Sequence, residues 1–135
     1  MLKLHFFGEN TKFHHIGLGI EDVAKINLDS TFLTHDPIQK VKVGFVQVGD
    51  CCVEIIEPVG EQSPVRNSIK KGNKLMHICF EVNDLDEALR QAEQNAFKVI
   101  QKPVPAEAFN QRKIAWVYHP NWGLYELLES GKDSC

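Results

Sequence analysis

Two kinds of short segment occur twice in this sequence: one begins with a histidine, and the other carries a glutamate between aliphatic residues. His15 opens HIGLGIEDV and His77 opens HICFEVNDL, 62 residues later. The runs CVEIIE and LYELLE then place Glu54 and Glu126 inside otherwise aliphatic strands. A carboxylate in such a strand is costly unless it is paired or bound to a cation. The repeat therefore points to two related His/Glu pairs.

Imidazole nitrogen and carboxylate oxygen together suit a divalent transition metal with positions left open for water or substrate. If the two halves of the chain pack about a pseudo-twofold axis, His15, Glu54, His77 and Glu126 converge on one such site. The alternative for any single histidine in a strand is a structural role. Recurrence of both residue types in both halves favours metal binding.

The elements that must position these residues also repeat. Each half contains a His-led strand, an Asp that can cap a helix, a helix, and further β-rich runs. The second helix is predicted at 85–94, whereas its counterpart at 23–29 is barely two turns long. Gly49-Asp50 predicts a hairpin between strands at 41–48 and 51–56. The matching strands are predicted at 113–118 and 124–128.

This pattern predicts an α+β fold of two tandem βαβββ modules with the first helix shortened. Module one spans about 12–58, the connector 59–73 and module two about 74–129, within a single domain of 135 residues. The connector is expected to hold a short helix from Val65 to Lys71. Lys70 and Lys71 are expected to form a solvated helix end, with phosphate contact as the alternative.

Composition narrows the range of functions. Hydrophobic residues make up 43% of the chain, and its net charge of −3 gives no excess of positive charge for a nucleic-acid backbone. The first residues contain no unbroken apolar stretch of the kind found in a signal peptide or a membrane span. We therefore expect a cytoplasmic protein with neither nucleic-acid nor membrane partners.

The chain resembles the vicinal oxygen chelate superfamily, which includes glyoxalase I, methylmalonyl-CoA epimerase and extradiol dioxygenases. The segments that carry the resemblance are HHIGLGIEDV, VKVGFVQVGDCCVEIIEPVGEQSPV, HICFEVNDLDEAL and GLYELLE, and they look most like the epimerase branch. The resemblance implies that the modules form a paired, cleft-like open barrel. It also implies one divalent ion (Zn, Ni, Co, Mn or Fe) held by His15, Glu54, His77 and Glu126, and a homodimer.

The resemblance further implies a metal-dependent isomerase that abstracts a proton next to a carbonyl or thioester through a stabilised enolate. Glu126 is the first candidate for the base and Glu54 the second, and the substrate would be an acyl-CoA or a thiol-conjugated carbonyl compound. One alternative is a lactoylglutathione lyase of the glyoxalase I type. Another is a small-molecule binding or resistance protein without turnover. An extradiol dioxygenase is less favoured, because Glu54 gives one carboxylate too many for its iron site.

Three features depart from the epimerase pattern. Epimerases carry a second catalytic Glu just before the Val-Lys-Val strand, but this chain has Ile38 there, with Asp36 as a nearby substitute only if the loop shifts its register. The first helix is truncated. The Gly-rich segment that usually precedes the penultimate strand is replaced by 103–112, which we predict to be a substrate-side loop.

Overall fold

The computed structural model describes residues 1–131 of the chain. Within that range the strands are β1 (Lys12–Gly19), β2 (Thr34–Asp36), β3 (Val41–Val48), β4 (Cys51–Pro58), β5 (Leu75–Val82), β6 (Lys98–Pro105), β7 (Lys113–His119) and β8 (Gly123–Glu129). The α-helices are α1 (Pro64–Lys70) and α2 (Leu85–Gln94), and 3₁₀ turns occur at Val23–Ile26, Ser30–Phe32 and Glu107–Phe109. This order confirms the predicted α+β class and its two βαβββ modules.

The chain divides into two compact units. One comprises His15–Met76, and the other combines Met1–His14 with the residues from His77 onward. Among residues 1–131, no helix is long and apolar enough to cross a membrane.

Module one contains four strands in the order β2-β3-β4-β1. Strands β1 and β4 are parallel, and the other neighbours are antiparallel. One face is apolar, where Ile16 and Leu18 of β1 pack with the buried residues Val23, Val53 and Ile55. Strand alternation therefore turns His15 and Glu54 to the opposite face.

The first helix of module one is even shorter than expected. Asp22 caps the turn Val23–Ile26 by accepting a hydrogen bond from the Ala24 N–H, and Asn27 ends it at φ 60°. Phe32 takes over packing against the sheet, since a Cβ at Gly44 would lie 2.5 Å from its ring. In the absence of a longer helix, Phe32 packs on this face together with Val23, Leu28 and Leu33.

Module two contains four strands in the order β5-β8-β7-β6, with α2 packed on its apolar face. Helix α2 begins at Asp84, whose carboxylate accepts a hydrogen bond of 3.1 Å from the Glu87 N–H. Its inner face buries Leu85, Ala88, Leu89 and Ala92. The helix and its cap both match the prediction from sequence.

The Asp84 cap leads to a stability prediction. Replacing Asp84 with alanine leaves the Glu87 N–H without its side-chain acceptor and should lower the free energy of unfolding by about 1 kcal/mol. Urea unfolding followed by circular dichroism measures the change. Asp86→Ala is the matched control, because Asp86 lies in the same first turn without capping it. Equal losses in the two variants would contradict a specific capping role.

Strand β6 differs from the expected loop. It continues through Pro103 to Pro105, and its pairing with β7 shifts register between Val99 and Gln101 and again between Gln101 and Val104. Proline lacks an N–H and is tolerated at an edge strand or a bulge. The predicted loop is therefore confined to the segment from Ala106 to Arg112.

The N-terminal segment belongs to the unit that contains module two. Phe7 is buried in the core formed by α2 and the sheet, and its ring centroid lies 5.2 Å from that of Phe97 and 5.7 Å from that of Tyr125. Burial raises the pKa of the Tyr125 phenol above its usual value, so the phenol stays neutral at physiological pH.

Candidate metal centre

In module one, β1 and β4 bring His15 and Glu54 together. The two strands are parallel, with Gly17 opposite Glu54, so His15, Gly17 and Glu54 face the same side of the sheet. His15 is fully buried and Glu54 is 5% exposed. The His15 Nε2 lies 3.5 Å from the Glu54 Oε1.

Module two builds the same arrangement from β5 and β8. Cys79 stands opposite Glu126 in this parallel pair, and His77 precedes Cys79 by two residues on the same face. His77 is 5% exposed and Glu126 is 3% exposed. The His77 Nε2 lies 3.3 Å from the Glu126 Oε1. Each module therefore contains one buried His/Glu pair in equivalent register.

An aromatic ring accompanies each pair. Phe45 on β3 stands opposite Glu54, and its ring meets the His15 imidazole edge to face at 5.3 Å. Trp116 on β7 stands opposite Glu126, and its ring meets the His77 imidazole at 4.7 Å and 86°. Phe45 is not among the residues that the sequence predicts for the site. One feature of the sequence could have identified it: Phe45 and Trp116 are aromatic residues at the middle of β3 and β7, the strands that precede the two Glu-bearing strands.

Two buried carboxylates demand positive charge or hydrogen-bond donors. His15 and Glu54 of module one, and His77 and Glu126 of module two, are candidate metal ligands. Two nitrogens and two oxygens suit zinc, nickel, cobalt, manganese or iron, whereas calcium takes oxygen ligands. The residues present therefore fit a divalent transition-metal ion.

The other histidines have separate surroundings. His14 is half-buried and packs against the Phe109 ring at 5.6 Å. The His119 Nδ1 accepts hydrogen bonds from the Asn121 and Trp122 N–H groups at 3.0 and 3.3 Å. His119 thereby stabilises the turn between β7 and β8. His5 and His35 are exposed.

Asp36, the nearby substitute for the missing catalytic Glu, has its carboxylate engaged in hydrogen bonds within its own loop. It is 8% exposed, and its Oδ1 accepts hydrogen bonds of 3.0 Å from both the Ile38 and Gln39 N–H groups. Its Oδ2 accepts a third, of 3.2 Å, from the Gln39 Nε2. Ile38 is 75% exposed. The Asp36 carboxylate therefore stabilises the turn that contains Ile38 and Gln39.

The chain is similar in sequence to one protein family and to several individual proteins. A family model described as the Glyoxalase/Bleomycin resistance protein/Dioxygenase superfamily matches residues 23–116. The uncharacterized protein YqjC of Bacillus subtilis (strain 168) is 32% identical over 133 residues, covering 90% of this chain and 94% of that protein. The mitochondrial methylmalonyl-CoA epimerase of Dictyostelium discoideum is 29% identical over 103 residues, covering 70% of this chain and 61% of its own length.

Solved structures share the fold. Methylmalonyl-CoA epimerase from Mycobacterium tuberculosis superposes with a TM-score of 0.74 at 16% identity, covering 98% of this chain and 94% of that one. A variant of the Streptomyces coelicolor epimerase in complex with 2-nitronate-propionyl-CoA gives a TM-score of 0.72 at 20% identity, covering 92% and 97%. The family match, the YqjC similarity and the repeated βαβββ modules agree, and the chain belongs to the glyoxalase/bleomycin resistance protein/dioxygenase superfamily, also called the vicinal oxygen chelate superfamily.

Proposed function

We propose that this protein is a metal-dependent isomerase that removes a proton next to a carbonyl or thioester, in the manner of methylmalonyl-CoA epimerase. One observation carries the proposal: each module holds a buried histidine nitrogen within 3.5 Å of a buried glutamate oxygen. The named epimerases among the relatives and structural neighbours support the choice of reaction.

His15, His77, Glu54 and Glu126 would hold the metal. A bound divalent ion supplies Lewis acidity toward the substrate carbonyl and so stabilises the enolate left by proton removal. Phe45 and Trp116 contact the two imidazoles edge to face. Fixed ring orientations limit the reorganisation needed when ligands bind.

Glu126 is the proposed base and Glu54 the alternative. A carboxylate of this kind would accept the α-proton on one oxygen and leave an enolate, and delivery of a proton to the opposite face of the same carbon would complete the isomerisation. Trp116 lies opposite Glu126 in the β7–β8 ladder, and Phe45 lies opposite Glu54 in the β3–β4 ladder. The larger of the two rings therefore adjoins the proposed base. A homodimer and a cytoplasmic location, both expected from the sequence, stay predictions.

The test combines metal content with hydrogen exchange. Mass spectrometry of purified protein should find one divalent ion per chain, and the metal-loaded protein should incorporate deuterium at the α-carbon of methylmalonyl-CoA in D₂O. Chelation should abolish incorporation, and added metal should restore it. Failure to retain metal after reconstitution, or stoichiometric metal without deuterium incorporation, would contradict the proposal.

Two other functions use the same residues and are separated by assay. A glyoxalase I-type lyase would convert the adduct of methylglyoxal and glutathione, which a spectrophotometric assay detects. A binding or resistance protein is favoured by the exposed Ile38 and the engaged Asp36, since these leave the loop before β3 without a free carboxylate. It would bind a ligand stoichiometrically without turnover.

A further inference from the structure

Arg112 ends the loop that follows β6, and its guanidinium joins that loop to two strands of module two. The Arg112 Nη1 donates to the Glu81 Oε2 on β5 at 3.3 Å and to the Glu129 carbonyl on β8 at 3.2 Å. The Arg112 and Glu81 side chains are 12% and 19% exposed. One largely buried ion pair therefore links the strands that carry His77 and Glu126.

The rest of the Arg112 guanidinium is enclosed by the loop and by the chain just after β8. Its Cζ lies 5.6 Å from the centroid of the buried Phe109 ring, and a Cβ at Gly131 would overlap its Cδ. The Nε and Nη2 are buried, and within residues 1–131 neither has a hydrogen-bond partner. Buried donors in this state are costly, and an apolar pair of similar volume would avoid the cost. An arginine at this position therefore calls for a role beyond filling space.

The loop that Arg112 ends is tightly wound. Asn110 and Gln111 have φ angles of 53° and 71°, a region that residues other than glycine rarely enter. The Gln111 N–H donates to the Ala106 carbonyl at 2.9 Å, and the Ala106 N–H donates to the Arg112 carbonyl at 3.0 Å. Backbone in this region persists only where surrounding contacts hold it. The loop therefore delivers Arg112 to a fixed point at the start of β7.

Module one covers the corresponding strand position without charge. Gly19 follows His15 by four residues, just as Glu81 follows the histidine of β5. A Cβ at Gly19 would meet the Ile69 Cγ1 and the Met76 Cε at 2.9 Å each, so apolar side chains cover that position. The repeat thus contains an apolar solution to the same packing problem. Module two departs from it by using an ion pair.

We propose that Arg112 is a positioning residue for the His77/Glu126 pair of module two. Glu81 lies on the same strand and the same face as His77. The Glu129 carbonyl lies three residues beyond Glu126 on β8. By binding both acceptors, the guanidinium holds β5 and β8 in the parallel register that brings the His77 Nε2 within 3.3 Å of the Glu126 Oε1. This inference rests on the proposed function for the chemistry that the pair performs.

Nuclear magnetic resonance of the metal-free protein tests the positioning directly. The Arg112→Met, Glu81→Gln variant removes the ion pair without leaving a buried charge. Its His77 ring signals should shift by more than their linewidth, because the His77 ring meets Trp116 at 4.7 Å and any rotation changes the ring-current field. The ring signals of His15, which belongs to module one, should stay in place.

Metal binding and kinetics give a second readout. Chelator competition should show about tenfold weaker metal binding in the double variant, and the visible spectrum of its cobalt-loaded form should change with the ligand geometry. In the deuterium-exchange assay kcat should fall about tenfold while KM changes by less than about twofold. The Arg112→Lys variant keeps the charge, but its side chain ends one bond short of the Nη1 position. It should lie between wild type and the double variant in every readout.

The matched control is Arg90→Met, Glu87→Gln, which removes an ion pair of the same type from α2, where the side chains are 71% and 44% exposed. It should match wild type in the His77 signals, the metal affinity and kcat. Equal changes in the control would overturn the proposal. So would wild-type His77 signals in a folded double variant, or in the Arg112→Lys variant where the double variant does not fold.

The positioning role and the proposed function fail separately. Shifted His77 signals in the double variant, with no deuterium exchange by wild-type protein, would reject the isomerase and support the positioning role. Unchanged His77 signals, with equal deuterium exchange in wild type and variant, would reject the positioning role and support the isomerase.

Discussion

Replacing both His15 and His77 with alanine should remove the bound metal and lower the rate of α-proton exchange by at least about a thousandfold, the scale on which losing electrostatic stabilisation slows catalysis. Each change deletes one of the two proposed nitrogen ligands and leaves a buried carboxylate without its imidazole neighbour. Metal content by mass spectrometry and deuterium incorporation measure the two losses.

The control for this double variant is His5→Ala, His35→Ala, which removes two exposed histidines. It should retain full metal content and exchange. Because unpaired buried carboxylates destabilise a fold, circular dichroism must first establish that the His15, His77 variant is folded. The Glu54→Gln, Glu126→Gln variant removes both carboxylate charges without leaving a buried charge, and it should bind metal more weakly than either single glutamine variant. Normal metal content in a folded His15, His77 variant would contradict the site.

Replacing Glu126 with glutamine should separate metal binding from proton transfer. Glutamine keeps the shape of the side chain and an oxygen ligand, but its amide cannot accept the α-proton. We expect the Glu126→Gln variant to keep its metal and to lose about a thousandfold in kcat for exchange, within the usual range for a general base. Single-turnover deuterium incorporation measures this step without product release.

The matched variant is Glu54→Gln, on the equivalent strand of module one. It should keep metal and lose much less, about tenfold, because it removes a ligand charge rather than the base. The reverse order of effects would assign the base to Glu54. Similar exchange in wild type and both single variants would exclude a carboxylate base at either position.

The strands were largely predictable, because alternation and turn chemistry are local. The Gly49-Asp50 turn placed β3 and β4 correctly, and the helix predicted at 85–94 is α2. The predictions were wrong where tertiary packing sets the limits of an element. Pro103 lies in a strand because β6 is an edge with bulges, and the capping residues Asp22 and Asn27 shorten the first helix to one turn.

The repeat singles out four candidate ligands because it places them in equivalent strands of each module, and their binding of a metal stays a prediction. The role of Phe45 was not visible, because it depends on the register that sets Phe45 opposite Glu54 across two antiparallel strands. The three hydrogen bonds of Asp36 depend in the same way on the exact path of one loop. The residue types alone do not determine the backbone conformation of such a loop.

The packing of Phe6 and Phe7 means that the repeat in the sequence and the compact units of the fold have different boundaries. Phe6 contacts the rings of Phe97 and Trp122 at 5.2 and 5.0 Å, so the first residues complete the half of the protein that is encoded last. Fragments for split-protein complementation should therefore not be divided simply at the connector. A circular permutant that begins at β5 and places Met1–His14 directly after β8 would keep this aromatic cluster within one continuous stretch of chain.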